Sequence, residues 1–550
     1  MLTSYRRFAA WLADHPGPTA FDCETTGLDP FAPGFACTHV ALGSADGSAI
    51  VLDGRDRPLV RAVFRALADH GRELAAHNAG FDCRVLRAAY GVKSSSTIDT
   101  LSAIRAQAPG LGSYSLKALR PATAGAESRL AERWGGKCRN GWIGEALADL
   151  SPDDPALIAY VSTDAVETAR LYDDLRADPE WPHAALDLAT DRLWRWAGIA
   201  VDRDLLGEKL EDSSRRIADE TAHFGFTPHT GSDARREWVK RIGVTGLDLT
   251  DAGRPSLAED SRKRAIVPPE HRAEWGRLCA AIEAESQHSK LKELAKLSER
   301  DGRVHPTINA NAARTGRMSV ADPALQNLAE LSRPLLIADS GKLLVGLDLS
   351  QVEPRLMAAL SGDPALIAAV SSGDVYSATA AAAGSSIDRP AAKIVFLALM
   401  YGMGDAGLGA KLGVDLHAAK AARGRVLGAY PRLGEWIERT RLGAEAGEPL
   451  RTITDRPLPA VSPDKSYVAV NYLIQGSAAD LFKRMTLRAC GELPASARPW
   501  LPVHDELVVE CDPVDADLVS DLLREHMRDT VNGVVIDGAP HVHGERWGKA

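Results

Sequence analysis

The sequence predicts a multidomain protein in which an α/β region is followed by an α+β region. Strands and helices alternate over residues 20–175, and a second mixed region opens with an apolar strand at 342–350. Between them, residues 205–300 are helical and highly charged, and loops rich in Gly and Pro interrupt them. We expect this middle stretch to form an arm, because it offers little material for a compact core.

Length and composition are those of a soluble globular protein. The chain has 550 residues, of which 45% are hydrophobic and 25% charged, and this length suffices for about two to four domains. No apolar run approaches the roughly 18 residues of a membrane span, and the N-terminus lacks the apolar core of a secretory signal. A net charge of −9 argues against a protein that coats nucleic acid by bulk charge. The dispersed cysteines, without a C-x-x-C pair, favour a reducing, cytoplasmic location: Cys23, Cys37, Cys83, Cys138, Cys279, Cys490 and Cys511.

The elements of the first region follow from local patterns. "TAFDCETTGL" and "HVALGSADGSAIVLD" predict strands with turns, and "PLVRAVFRALADHG" predicts an amphipathic helix that ends at Gly71. "ELAAHN" returns as a strand and leads into the helix "DCRVLRAAYG". A further helical stretch, "DLATDRLWRWAG", follows at 187–198.

The second region begins with the strand "KLLVGLDLS" and continues into a mostly helical block at 363–445. Near the end, "LPVHDELVVE" predicts a hairpin whose strand-forming residues flank His504, Asp505 and Glu506. An isolated His-Asp-Glu is more often a solvated turn. A metal site at this tip would need other carboxylates from elsewhere in the chain.

Four acids mark the first region. Asp22 and Glu24 lie two apart on a strand and therefore share a face, Asp82 starts a helix, and Tyr160 and Asp164 share one face of another helix. Such an acid set suits a two-metal hydrolytic site, with the tyrosine orienting the attacking water. Asp-x-Glu alone would indicate no more than a solvated strand edge.

A second set of residues suits nucleotide binding. Asp348 ends its strand, where it could bind a metal or, equally well, cap the next helix. Arg389, Lys393, Leu397 and Tyr401 recur every four residues and form a slowly drifting stripe on one helix. Two cations followed by a hydrophobe and an aromatic suit a triphosphate at one end and a base or sugar at the other. In an isolated helix, a solvated first turn leading into a core face would be the better interpretation.

In fixed order, these motifs resemble those of family A DNA polymerases, the group of bacterial DNA polymerase I. "DLSQVEPR" resembles the motif with the first catalytic Asp, "RPAAKIVFLALMYG" the nucleotide-binding fingers helix, and "VHDE" the second metal motif. The acids of the first region, with "HNAGFD" in the middle, are similar to those of proofreading 3′–5′ exonucleases. Flanking segments agree: "ARTGRMSVADPALQN", "YPRLGEWIERTR", "NYLIQGSAADLFKRM" and "GERWGKA".

The resemblance implies a ribonuclease-H-like DEDD exonuclease domain followed by a right-hand polymerase. The implied segments are the 3′–5′ exonuclease domain at 1–180, connecting helix and thumb at 181–305, first part of the palm at 306–372, fingers at 373–470 and second part of the palm at 471–550. We expect no upstream 5′ nuclease domain, because the acid-rich strand begins near residue 20. That organisation resembles stand-alone phage enzymes, and a truncated or host-encoded form fits equally well.

The resemblance also implies two Mg²⁺ ions per active site, with Mn²⁺ as the alternative. In the polymerase site, the implied ligands are Asp348, the carbonyl of Leu349 and Asp505, with Glu506 in support. In the exonuclease site, they are Asp22, Glu24, Asp82 and Asp164, with Tyr160 beside them. The first site would serve in-line attack by a primer 3′-OH on a dNTP.

Further roles are implied for residues around the polymerase acids. Arg389 and Lys393 would bind the triphosphate, with Lys393 a candidate proton donor to pyrophosphate. Glu353 would crowd the sugar 2′ position, with Tyr401 packed against it. Gln351 and Leu397 complete the nucleotide-binding set. The implied contacts to primer-template DNA, which should read duplex shape and the minor groove, are Arg317, Gln326, Asn327, Asn471, Gln475 and His504.

The sequence departs from the family pattern around the nucleotide. Leu397 stands where the family has Phe or Tyr, which puts stacking on the nucleotide in doubt, and Phe396 one position earlier is an alternative stacking residue. Ala398 replaces a Gly, Tyr376 replaces a His, and Tyr467 stands where an Arg is expected. Because no metal ligand is lost, we expect altered nucleotide affinity or fidelity with the chemistry retained.

Three functions compete at this point. The first is a proofreading DNA polymerase that acts as a monomer on primer-template DNA, dNTPs and a single-stranded 3′ end, away from membranes. The second is a nuclease whose C-terminal region only holds DNA, which would require a broken polymerase acid pair. The third is a non-catalytic replication scaffold. The completeness of both acid sets favours the first.

Overall fold

The computed structural model describes residues 4–94, 96–134, 151–195, 198–228, 233–250, 252–263, 265–383 and 387–548. Cys138 lies outside these ranges. No helix within them combines the length and apolar character needed to cross a membrane.

The first region contains a five-stranded mixed sheet in the order β3-β2-β1-β4-β5. The central strand β1 pairs antiparallel with β2 and parallel with β4. The alternation of β1 sends Phe21 and Cys23 into the core and leaves Asp22 and Glu24 half-buried on the other face. The strands are β1 Thr19–Thr25, β2 Cys37–Gly43, β3 Ala49–Asp53, β4 Leu74–Ala76 and β5 Ile98–Asp99.

Helices cover this sheet, as predicted for an α/β region. The seventh helix crosses β1, β2 and β3, and a Cβ at Gly43 would come within 2.5 Å of its main chain at Ala165. This close approach brings the acidic face of β1 near the helix. The helices are α1 Tyr5–Asp14, α2 Arg57–Asp69, α3 Ala79–Tyr90, α4 Thr100–Gln107, α5 Leu116–Leu119, α6 Pro121–Arg133 and α7 Pro155–Ala177.

The middle stretch has a small core of its own, although its composition offers little material for a compact one. Trp238, Trp275 and Leu278 are buried together with neighbouring apolar residues. The charged residues that dominate its composition lie on the outer faces of two long helices that pack on each other, α9 and α12. The helices here are α8 Trp181–Trp194, α9 Arg203–Phe224, α10 Asp233–Arg241, α11 Glu259–Lys263 and α12 Arg272–Leu297.

Short strands before and after the middle stretch form two small sheets. A three-stranded sheet has the order β10-β6-β7, and β8 pairs with β9. These strands are β6 Ile199–Val201, β7 Arg303–Val304, β8 Thr307–Asn309, β9 Ser319–Ala321 and β10 Leu336–Ile337.

The second region is built on a four-stranded antiparallel sheet in the order β12-β13-β11-β16. The predicted hairpin is confirmed: β12 and β13 flank a two-residue turn, in which His504 has a positive φ of 56°. The strands are β11 Leu343–Leu349, β12 Arg498–Val503, β13 Glu506–Cys511, β14 Asp529–Val531, β15 Val534–Ile536 and β16 Gly538–Gly544. β14 and β15 form a separate hairpin.

The helices of the predicted helical block pack mainly on one another and on the helices before and after them in the chain. The helix Arg389–Met400 buries one face and leaves Arg389 and Lys393 exposed on the other, which confirms the stripe expected from their spacing. The helices are α13 Val352–Ser361, α14 Pro364–Ser371, α15 Val375–Ala383, α16 Arg389–Met400, α17 Asp405–Leu412, α18 Leu416–Ala429, α19 Pro431–Glu445, α20 Ala469–Gly491 and α21 Ala516–His526.

A buried ion pair joins α8 to α20. Lys483 and Asp187 form a salt bridge in which both side chains are 0% exposed. The second oxygen of Asp187 accepts a hydrogen bond from the Asn311 side chain at 2.8 Å. This fully buried pair therefore connects the helix that follows the first region to the main helix of the second.

We expect Lys483→Met to lower the free energy of unfolding by about 3–5 kcal/mol, because it leaves the Asp187 carboxylate buried without its cation. Chemical denaturation followed by circular dichroism would measure this. Arg441→Ala, which breaks an exposed pair with Glu438, is the control and should cost less than about 1 kcal/mol. Equal effects of the two substitutions would contradict a special role for the buried pair.

Two candidate metal-dependent active sites

The acids of the first region converge at the centre of the five-stranded sheet. Asp22 and Glu24 on β1 and Asp164 on α7 place carboxylate oxygens within 4.8 Å of one another. One oxygen of Asp164 is buried without a hydrogen-bond partner. An unpaired oxygen in a group of like charges is what a hard cation with oxygen ligands satisfies, so these residues fit a divalent metal site.

The fourth predicted acid, Asp82, lies at the edge of this group. It occupies the first turn of α3, and its Oδ1 accepts a hydrogen bond from the main-chain N–H of Cys23 at 3.0 Å. The Asp82 carboxylate therefore contacts β1 at Cys23, between Asp22 and Glu24. Tyr160 lies one turn before Asp164 and is buried beside it.

Burial makes ionisation of these acids costly. It raises the pKa of Asp22 to about 6 and that of Asp164 to about 8, and the pKa values of Glu24 and Asp82 lie well above their usual range. The charges of neighbouring carboxylates raise the pKa values of Glu24, Asp82 and Asp164 further, whereas a hydrogen bond with Glu24 lowers the pKa of Asp22.

One nearby cation, Lys117, was missed by the sequence analysis. Its charge lowers the pKa values of Asp22 and Asp164, in opposition to their burial, and its ammonium pairs with Glu127 at 2.7 Å. No motif marks it, since it lies on the one-turn helix α5, far along the chain from each of these acids.

In the second region, the sheet brings Asp348 and Asp505 together. Asp348 on β11 is the cross-strand partner of Glu506, and the N–H of Leu349 donates to the main-chain carbonyl of Asp505 at 3.1 Å. Neither aspartate side chain has a hydrogen-bond or salt-bridge partner within the described ranges. Two carboxylates without partners, one at the end of β11 and one in the adjoining turn, fit the predicted metal pair.

Ionisation of Asp348 and Asp505 is also unfavourable. Partial burial and the charges of Glu506 and Asp505 raise the pKa of Asp348 to about 6. Burial raises the pKa of Asp505, against the opposing charges of Arg317 and His504. Both aspartates are thus poised to gain from a bound cation.

Glu506, predicted to support this pair, is bound elsewhere. Its Oε1 lies 3.2 Å from Nε2 of His541 and 3.1 Å from Nε2 of His543, both on β16. Burial raises its pKa, but the two histidine contacts outweigh burial and bring it to about 2. The sequence analysis missed both histidines, although H-x-H on a strand places them on one face.

The predicted triphosphate cations are restrained by neighbours. Nε of Arg389 donates to Asp374 at 2.7 Å. The cationic groups of Arg389 and Lys393 each lie 5.8 Å from the ring centre of Tyr376. Tyr376, the residue that replaces a family His, therefore holds both cations by cation–π contact.

The expectation that Phe396 substitutes for a stacking aromatic is wrong. Its side chain is 0% exposed and lies edge-on to Tyr376, with the ring centres 6.1 Å apart. One residue along a helix turns the side chain by about 100°, so Phe396 faces the core. Leu397 is half-buried on the side of Lys393 and Tyr401.

Glu353, the predicted sugar-contacting acid, forms a salt bridge with Arg317 at 2.5 Å. Tyr401 is close enough for the charge of Glu353 to raise its pKa, and burial raises it further. Its hydroxyl accepts a long hydrogen bond of 3.4 Å from Gln475. Four predicted nucleotide and DNA contacts thus lie in one cluster.

The remaining predicted nucleotide and DNA contacts differ in their surroundings. Gln326 donates to the carbonyl of Pro502 beside the hairpin at 3.1 Å, and His504 is exposed at its tip. The side-chain nitrogen of Asn471 is buried without a partner. Gln351, with a positive φ of 52°, donates to the carbonyl of Gly373 at 2.9 Å, and Asn327 is exposed.

Comparisons with known proteins agree with the two-site architecture. Residues 278–549 match the family model of DNA polymerase family A, and residues 3–179 match that of a 3′–5′ exonuclease. Together, the two matches define the class of protein: an exonuclease domain followed by a polymerase domain. The chain belongs to DNA polymerase family A, and both of its domains belong to metal-dependent families.

Curated relatives include a DNA polymerase I of Chloroflexus aurantiacus, 28% identical over 96% of this chain and 61% of its own length. The DNA polymerase of Mycobacterium phage L5 is 24% identical over 98% of this chain and 94% of its own length. The chain spans 43% of the thermostable DNA polymerase I of Thermus filiformis. Several of these relatives are therefore considerably longer.

A solved structure has the same fold. It is the POL domain of Pol1 from M. smegmatis in complex with DNA primer-template and dNTP, with a TM-score of 0.79 and 24% sequence identity. The similarity covers 100% of this chain and 99% of the other.

We expect Asp164→Asn to raise the melting temperature in EDTA at pH 8 by about 2–4 °C, the shift per kcal/mol in a domain of this size. The pKa of this buried carboxyl group is higher in the folded protein than its value of about 3.9 in the unfolded chain. The free energy of unfolding therefore falls as pH rises from the unfolded pKa to the folded pKa. The gain should shrink near pH 5, where the buried group is protonated. Calorimetry at both pH values would measure it.

Asp173→Asn, on the exposed face of the same helix, is the matched control and should change the melting temperature equally at both pH values. Mg²⁺ should stabilise the parent protein more than the Asp164→Asn variant. If Asp164→Asn raises the melting temperature equally at both pH values, that result would contradict the conclusion that ionisation of the buried Asp164 carboxyl group destabilises the fold.

Proposed function

We propose that this chain is a template-directed DNA polymerase that extends a primer 3′-OH with dNTPs and proofreads through its 3′–5′ exonuclease domain in DNA replication. The observation that carries the proposal is the presence of two separate carboxylate sites in one chain. Asp22, Glu24 and Asp164 converge in one domain, and Asp348 adjoins Asp505 in the other.

The metals would be Mg²⁺, two per site, because the donors are carboxylate and carbonyl oxygens. Asp348, Asp505 and the Leu349 carbonyl would hold them for synthesis, and Asp22, Glu24, Asp82 and Asp164 for proofreading. Bound there, divalent cations offset the negative charge that develops on the attacking and leaving oxygens.

The chain's own residues would orient the substrates. Arg389 and Lys393 lie one turn apart on α16 and present exposed charges for a triphosphate, with Lys393 the candidate proton donor to the leaving pyrophosphate. Asp374 and Tyr376 hold these charges in place until phosphate competes for them. Pre-positioned cations lower the ordering cost of nucleotide binding.

Sugar selection would fall to Glu353. Its salt bridge with Arg317 fixes the carboxylate beside Tyr401, and Leu397 lies on the same side of α16. A fixed carboxylate would crowd a 2′-OH and exclude ribonucleotides. Gln351 lies close behind on the α13 N-terminus and would complete this pocket.

Primer-template DNA would lie across the sheet and the hairpin tip, where the charges of Arg317 and His504 act on Asp505. Asn471 and Gln475 would make further contacts to the DNA. The side-chain nitrogen of Asn471 is buried without a partner, and a base or sugar oxygen would satisfy it only after this side chain moves. Gln326 and Asn327 flank the same surface. The chain would act as a monomer in a bacterial or phage-infected cytoplasm, with its 3′ end transferred to the first domain for trimming.

We expect Asp505→Ala to abolish primer extension and spare trimming, and Asp22→Ala to do the converse, because each acid serves one site. The loss should reach several orders of magnitude where a metal ligand is removed. A primer-extension assay with Mg²⁺, run with and without dNTPs, would measure both activities.

The same assay separates the competing functions. Trimming without any extension by the parent protein would support a nuclease with a DNA-holding platform, and neither activity would support a scaffold. Loss of both activities in each single variant would contradict two independent sites.

We expect Leu397→Phe to lower the KM for dNTPs by about 2–10-fold, the equivalent of the 0.5–1.5 kcal/mol of an aromatic contact. Steady-state kinetics on a fixed primer-template would measure it. Phe396→Leu is the control on the same helix: it should leave KM unchanged and lower stability, because that side chain is buried. An unchanged KM in the Leu397→Phe variant would discard the stacking argument.

A further inference from the structure

Three side chains on the four-stranded sheet converge beside the polymerase aspartates. Glu506 belongs to β13, while His541 and His543 belong to β16, and both strands are neighbours of β11. The three ligand atoms form a nearly equilateral triangle. The Nε2 atoms of His541 and His543 lie 3.0 Å apart, and each lies 3.1–3.2 Å from Oε1 of Glu506.

The space for this triangle comes from Gly346 at the centre of β11. Gly346 pairs with His541 across the sheet and lies two residues from Asp348, the partner of Glu506. A Cβ on Gly346 would come within 2.6 Å of Oε1 of Glu506 and within 2.8–2.9 Å of both histidine Nε2 atoms. The three side chains therefore lean over a position where only glycine leaves room.

The hydrogen bonds behind the triangle orient the ligand atoms. Nδ1 of His543 lies 3.2 Å from the carbonyl oxygen of Gly548 and 3.4 Å from the main-chain nitrogen of the same residue. In the tautomer proposed for the metal-bound state, the Nδ1 proton is donated to that carbonyl. His541 has a main-chain hydrogen bond to Ala539. A histidine that gives its Nδ1 proton to a main-chain carbonyl presents a lone pair at Nε2, and this is the usual arrangement of a metal-binding histidine.

Three ligand atoms that lie 3.0–3.2 Å from one another repel unless a proton or a cation lies among them. A proton can be shared by two of these atoms, whereas a cation contacts all three. Zn²⁺ binds nitrogen and oxygen ligands at about 2.0–2.2 Å in tetrahedral geometry, so its ligand atoms lie about 3.3 Å apart. The observed triangle is already close to that spacing.

We propose that Glu506, His541 and His543 form a zinc site, separate from the Mg²⁺ positions at Asp348 and Asp505. Imidazole nitrogens suit Zn²⁺, whereas Mg²⁺ favours six oxygen ligands. His543 and Glu506 are only 7% and 11% exposed, and His541 is 43% exposed, so the fourth coordination position opens to solvent on the side of His541.

The site would tie β16 to β13 across β11. It would also keep Glu506 away from the neighbouring Mg²⁺ pair, which would leave Asp348 and Asp505 as the two carboxylates of that pair. Zinc binding does not require DNA synthesis, so it stands apart from the proposed function.

The test is zinc binding by the full-length chain in the Asp22→Ala background, which weakens the exonuclease carboxylate site. Zn²⁺ is titrated by calorimetry in excess Mg²⁺, and the zinc-loaded protein is examined by X-ray absorption. We expect one equivalent of Zn²⁺ with two imidazole ligands. His541→Ala and His543→Ala should each weaken binding by more than the roughly 10–100-fold that loss of an outer-shell partner costs.

Gly346→Ala provides an independent variant, because it keeps every ligand and fills the space beneath them. It should also lose the zinc. His417→Ala, which removes an exposed histidine on α18, should bind zinc as the parent does. Melting curves without zinc show whether each variant is folded.

Two outcomes would overturn the proposal. One is a parent chain that takes up no zinc in the presence of Mg²⁺, which would make the triangle a hydrogen-bonded network. The other is unchanged zinc binding by folded His541→Ala and His543→Ala variants, which would place the metal elsewhere. Neither outcome concerns primer extension, so failure here leaves the proposed function intact.

Discussion

The repulsion between carboxylates that are held close together is the constraint on which both candidate sites depend. Strand alternation places Asp22 and Glu24 on one face of β1, and helix α7, which packs on that sheet, contributes Asp164. Burial then raises the pKa of Asp164 to about 8. The fold remains stable because packing elsewhere, including a buried sheet and close helix contacts, contributes more free energy than the buried carboxylates cost. A cation recovers the cost, and in this way metal binding and fold stability are linked.

Backbone conformation concentrates strain around the same acids. His504, immediately before Asp505, has a φ of 56°, and Gln351, shortly after Asp348, has a φ of 52°. Asn78, at the start of the helix that carries Asp82, has a φ of 70°. Residues other than glycine adopt this region at a cost of about 1–3 kcal/mol each. Each strained residue sets the direction of a strand end or helix start, and so aims the nearby carboxylate.

The sequence was sufficient to predict what depends on local periodicity. Alternation on β1, the spacing on α16 and the turn at His504 all follow from short patterns, and the structure has them. Contacts between distant segments were not accessible in this way. Lys117 reaches the exonuclease acids from a one-turn helix, and the Lys483–Asp187 pair joins residues almost 300 positions apart. Residues 396 and 397 are both apolar, so hydrophobicity alone did not show which of them faces the core. The direction of Phe396 depends on which face of α16 packs against that core. His541 and His543 carried a pattern that could have been noticed, but the acceptor between them, Glu506, becomes apparent only from the strand order.

That strand order has a consequence for how the protein is made. Strand β11, which carries Asp348, is synthesised early in the second region, yet both of its neighbours, β13 and β16, lie beyond residue 505. On the ribosome, the first domain can close its sheet and assemble its acids while β11 still has two open edges. Under the proposed function, the growing polypeptide would assemble its exonuclease acids before its polymerase acids, and the central strand β11 needs protection from other chains during that interval.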